Sequence, residues 1–106
     1  MKKINIQVSY EENKRSNGYI MDINSCGIGM VCSKNIPVKT KVCITPKSKD
    51  LVKLSGKIVY CIKIEGIKNK YKAGVKFASP TKKQADSLLS FIEKINKREF
   101  VRLGFI

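Results

Sequence analysis

Between Gly18 and Met30 the chain reads GYIMDINSCGIGM, and within it Asp22, Asn24, Ser25, Cys26 and Gly27 bring a carboxylate, an amide, a hydroxyl, a thiol and a glycine into six consecutive positions. A carboxylate accepts paired N–H donors, an Asn side chain both donates and accepts, and a glycine admits a flat group close to the backbone. The same residue types also close ordinary turns, because Asp and Asn bond their own backbone. A second chemical pair is Arg98 and Arg102, four apart in KREFVRLGFI. Their planar guanidinium forks can take phosphate oxygens two at a time or stack on a ring. Arg15, beside Lys14, reads as an exposed loop charge.

Catalytic machinery does not suggest itself. The chain has no histidine, no paired carboxylates and no phosphate-binding glycine loop, so it reads as a binding protein rather than an enzyme. Cys26, Cys32, Cys43 and Cys61 form no C-x-x-C pair, and without histidine no metal site is expected. Their apolar neighbours suit small core residues of a reduced, cytoplasmic protein better than disulfides.

The elements that must hold these residues follow from periodicity. At 106 residues the chain suffices for one domain, which buries about two thirds of the surface of its unfolded state. No apolar run approaches the roughly 20 residues of a membrane span. Met1-Lys2-Lys3 leads into the alternating INIQVSY rather than an apolar leader, so no secretion signal is expected. Ile4 to Tyr10, Tyr19 to Ile23, Ile28 to Cys32, the stretch ending VCI at Ile44, Leu54 to Ile64 and Tyr71 to Phe77 read as strands. EENKRSNG, TPKSKD and EGIKNK are turn material. Six or seven short antiparallel strands predict a mainly β fold that closes into a small barrel.

At Ser79 the period changes. Ser79 with Pro80, or Thr81 with Gln84, offers a helix cap, and Ala85, Leu88, Leu89, Ile92 and Ile95 form one helical stripe of about four turns. The stripe breaks near Asn96, which predicts a barrel-plus-helix unit over 1–97 and a tail over 98–106, extended or again strand-like.

The strand order, the DINSCGIGM turn, YKAGVKF and the single helix ending LLSFIEKINKRE resemble a PilZ domain, a small bacterial barrel known as a receptor for cyclic di-GMP. The family turn is D/N-x-S-x-x-G. Asp22 and Gly27 match it, and Asn24 stands in the serine position. The resemblance implies that Asp22, Asn24, Ser25 and Gly27 meet the guanine edge, whose N1–H and N2–H a carboxylate accepts. It also implies an R-x-x-x-R before the first strand, and here that place holds only Lys2 and Lys3. Arg98 and Arg102 in REFVR resemble the displaced motif, as in flagellar brake proteins, where such a stretch joins a first barrel to a PilZ domain. On this reading they grip the nucleotide from the same chain, from a homo-oligomer partner or as the start of a second domain.

The resemblance and the charge together leave three functions in competition. The formal net charge is +14, carried by nineteen lysines and three arginines, and lysine is spread through every segment. The first expectation is a cyclic di-GMP receptor that passes the signal to a protein partner. The alternatives are a nucleotide-blind PilZ-like adaptor and a basic nucleic-acid-binding barrel. The last would need aromatic platforms among basic residues, and Tyr10, Tyr19, Tyr60 and Tyr71 form no dense cluster with them in sequence.

Overall fold

In the computed structural model, residues 4–49, 51–79 and 81–103 are described, with side chains of the final helix described through residue 94. Six strands precede that helix: β1 (Ile4–Tyr10), β2 (Lys14–Ile23), β3 (Gly27–Cys32), β4 (Lys41–Pro46), β5 (Leu54–Lys63) and β6 (Tyr71–Phe77). They close an antiparallel barrel in the order β1-β2-β3-β6-β5-β4, with β4 returning to β1. The architecture is therefore mainly β with one C-terminal helix. No seventh strand forms among the described residues.

Alternation dictates the interior. Ile6, Val8, Ile20, Ile28, Met30, Ile44, Ile58 and Val75 belong to the buried core; alternation with less buried neighbours is clear in β1 and β4, whereas in β3 and β6 neighbours such as Gly29, Val31 and Gly74 are buried as well. Burying each such aliphatic side chain stabilises the barrel by about 1.5–3 kcal/mol relative to exposure.

Two expectations about boundaries need correcting. EENKRSNG is not a long loop: the first hairpin turns on Glu11 to Asn13 alone, and β2 begins at Lys14, paired with Tyr10. Polar Lys14, Arg15 and Asn17 can be strand here because they face solvent, and Ser16 faces in. Burial of Ser16 costs little because its hydroxyl accepts the Ser33 N–H at 3.1 Å and lies 3.1 Å from the Ser33 hydroxyl. Arg15 is accordingly an exposed strand residue.

The helix α1 (Lys82–Leu103) starts at a reciprocal cap. Gln84 N–H donates to Thr81 Oγ1 at 3.2 Å, and Thr81 N–H donates to Gln84 Oε1 at 3.0 Å, which selects Thr81 over Ser79 as the first cap residue. Leu88 and Phe91 reach the core, with Ile92 packed against it, whereas Leu89 is 52% exposed and drops out of the expected stripe. The helix also does not break near Asn96. Asn is only a mild helix breaker, and no Gly or Pro intervenes before Gly104, so 97–103 continue helical instead of forming an extended tail.

Candidate functional site

The turn between β2 and β3 is built largely by Asn24. Its Oδ1 accepts the N–H groups of Cys26 at 2.7 Å and Gly27 at 3.1 Å, and its own N–H donates to the Gly27 carbonyl at 3.0 Å. Asn24 is thus committed through its carbonyl oxygen to the backbone, and only its NH2 group is left to meet a ligand. The Cys26 carbonyl accepts the Phe77 N–H at 2.8 Å and ties the turn to β6.

Gly27 is required for a reason other than a sharp turn. It does not adopt a positive φ, but a Cβ there would collide with the Val75 carbonyl of β6. The close approach it permits is of a neighbouring strand.

Asp22 sits at a register shift in β2 between Ile20 and Asp22, and a matching shift occurs in β5 between Ile58 and Tyr60. Each shift inserts one residue, Met21 or Val59, and so turns Asp22 and Tyr60 to the outer face, where plain alternation would have pointed them inward. Register then aligns Asp22, Gly29, Gly74 and Tyr60 in one row across four strands. The two central members are glycines, and the outer two side chains lie down over them. A Cβ on Gly29 would stand 2.8 Å from both Asp22 carboxylate oxygens, and one on Gly74 would collide with the Tyr60 ring. Asp22 Oδ1 accepts the Gly29 N–H at 3.1 Å, which fixes the carboxylate against the sheet.

The result is a shallow depression of about 310 Å3 bounded by Asp22, Asn24, Gly27, Val59, Tyr60 and Lys76. A second depression of about 330 Å3 adjoins it, with Val59 and Lys76 common to both. Its walls are Val38, Ile58, Phe77 and Ala78, with Lys39 and Lys57 at the edge.

Of the residues expected to act together, the structure gathers Asp22, Asn24 and Gly27. Ser25 is exposed, with its hydroxyl 4.0 Å from the Cys26 thiol, and does not line the depression. Arg98 and Arg102 fall on the helical backbone of α1, one turn apart, with side chains outside the described residues. A continuous helix carries Arg98 about 24 Å along its axis from Lys82, so an extended tail no longer supplies the reach that folding back on the turn required.

Tyr60, Gly29, Gly74 and Lys76 were missed as site residues. The available signal was a lone glycine inside each of two strong strands, which marks a bulge or a close approach.

The four thiols are free. Cys26 is exposed rather than a core residue, while burial of Cys32, reinforced by the Cys61 thiol beside it, pushes its pKa up and keeps it protonated. Among the described residues no group of His, Cys, Asp and Glu could hold a metal ion, and no helix is long and apolar enough to cross a membrane. No protein-family model matches the chain, and no curated protein matches it either.

Proposed function

We propose that the protein is a receptor module for cyclic di-GMP that relays the nucleotide's presence to a protein partner. The observation carrying this reading is the Asp22–Gly29–Gly74–Tyr60 row. The Tyr60 ring, 37% exposed and lying along the sheet, offers a face on which a purine can stack. The second oxygen of Asp22 would then accept N–H donors from the guanine edge, and Asn24, which lines the same depression, keeps its NH2 group to donate. The PilZ-like turn supports the choice of guanine. Arg98 and Arg102, on one helical face, would reach the ligand from a second copy or a following domain.

Calorimetric titration of the 106-residue chain with cyclic di-GMP, with GMP as the control, tests the reading. Saturable binding that discriminates against GMP is expected, and Asp22→Asn should weaken it by about tenfold or more, the scale of a lost charge-assisted hydrogen bond. A folded chain that gives no saturable heat overturns it.

A second reading has its own support. Val59 is 50% and Ile62 61% exposed along the same outer side of β5 as Tyr60. Such a run suits a nucleotide-blind adaptor surface, and absence of any nucleotide response would favour it.

A further inference from the structure

The outer face next to the Asp22 row carries a charge arrangement that folding alone does not favour. Lys41 of β4 stands directly opposite Lys57 of β5, and Lys57 directly opposite Lys76 of β6. The row ends at Gly27, the partner of Lys76 on β3 and the last residue of the turn motif. Side chains directly opposite on neighbouring antiparallel strands have Cβ atoms about 5 Å apart, and like charges there destabilise the sheet.

A lysine-rich composition does not by itself produce this. Lys72 is set between Val31 and Ile62, Lys14 against Tyr10 and Lys63 against Tyr71. Among the described strand pairs only this row sets lysine against lysine. Among the described residues no carboxylate forms an ion pair with the row: Glu11, which follows Tyr10, the partner of Val42 beside Lys41, pairs with Lys14, and Asp22 lines the same depression as Lys76 but is bonded to the Gly29 N–H.

Lys39 adds to the cluster from the preceding loop. Its N–H donates to the Ile58 carbonyl at 2.8 Å, and its φ of 74° is a conformation that non-glycine residues adopt only at a cost. The backbone therefore holds Lys39 at the edge of the depression that Lys57 and Lys76 also line. Lys76 borders both depressions, so the positive charge lies at their junction.

We infer that Lys57 and Lys76, with Lys39 at the rim and Lys41 behind, form a phosphate-binding subsite that joins the two depressions into one elongated site. This rests on the receptor reading for the identity of the whole ligand, but the anion subsite stands on the lysine row. A phosphate at the junction neutralises the repulsion of the row. A planar group attached to it reaches the Tyr60 ring on one side, and a second reaches the apolar walls of Val38, Val59 and Phe77 on the other. The chemistry recognised is a phosphodiester or diphosphate flanked by flat, weakly polar rings.

The test is a titration of the isotopically labelled chain with inorganic pyrophosphate and, separately, cyclic di-GMP, followed by NMR at constant ionic strength. Pyrophosphate should shift Lys57 and Lys76 resonances first and saturably. The Lys57→Gln, Lys76→Gln double variant should lose about tenfold or more in affinity for both probes, whereas a Lys68→Gln, Lys70→Gln control should bind as before. The double variant should also melt close to the parent, because relief of the like-charge contacts offsets the packing lost with the shortened lysine stems.

Uniform shifts at all lysines, no response to pyrophosphate, or unchanged affinity in the double variant would overturn the inference. So would a chain that ignores pyrophosphate yet sediments with phosphatidylglycerol vesicles. The two readings fail separately. If cyclic di-GMP binds no better than pyrophosphate, the receptor reading falls and the subsite stands. If the double variant keeps full affinity for cyclic di-GMP, the subsite falls and the receptor reading stands.

Discussion

Asp22 and Tyr60 can lie flat on the sheet only because Gly29 and Gly74 have no side chains. This makes the glycines testable apart from any ligand. In Gly74→Ala the new methyl must displace the Tyr60 ring, and since that ring is partly exposed it can swing outward at a cost of about 1 kcal/mol rather than disrupt the core. In a Tyr60→Ala background the same substitution should cost almost nothing, so urea denaturation of the four proteins should show a coupling of about 1 kcal/mol. Additive effects would mean that the ring does not occupy the place of the missing Cβ. The turn was legible in the sequence as Asp22 to Gly27, but its partner residues were not. Tyr60 reads as an inward residue when alternation is counted from Ile58, and nothing local announces the extra residue at Val59 that reverses it.

At the scale of elements, legibility followed the strength of local signals. Four of the strands are written in short patterns and appear within a residue of where those patterns place them, whereas β4 runs on through Thr45 and Pro46 of the expected turn; of the two caps the sequence offered, Thr81–Gln84 forms. The early start of β2 is not written in such a pattern, because Ser16 is tolerable inside only through Ser33, seventeen positions away. The helix stripe erred in a similar way. Leu88 is buried as expected, but Phe91 takes the inward place that hydrophobicity alone assigned to Leu89, because the tilt of α1 on the barrel is a tertiary property. Since few of the described side chains of α1 reach the core, its cap should matter. Thr81→Ala removes the acceptor for the Gln84 N–H and should lower stability by about 1 kcal/mol in urea denaturation, with the helical circular dichroism signal lost at lower urea. Coincident curves for parent and variant would show that packing, not capping, holds the helix start.

For the molecule as a whole, a net charge of +14 on 106 residues acts on folding and on binding in opposite directions. Self-repulsion among so many lysines disfavours the barrel relative to the expanded unfolded chain. At 0.01 M salt this repulsion reaches across about 30 Å, and at 0.15 M only about 8 Å. Raising sodium chloride across that range should therefore raise the melting temperature of the free protein. The same screening weakens attraction between the Lys57–Lys76 row and an anion, so affinity for pyrophosphate should fall as stability rises. A hydrophobic effect of salt would raise stability too, but it needs molar concentrations of strongly excluded salts and continues to grow above 0.15 M. Screening levels off once the Debye length drops below the spacing of the surface charges. A melting temperature that climbs steeply below 0.15 M and flattens above it, measured beside a monotonic loss of affinity, would trace both effects to one charge distribution. A flat melting curve would mean that the lysines are spaced widely enough to be indifferent to one another, and would leave the opposed row on β4, β5 and β6 as the one place where their repulsion is concentrated.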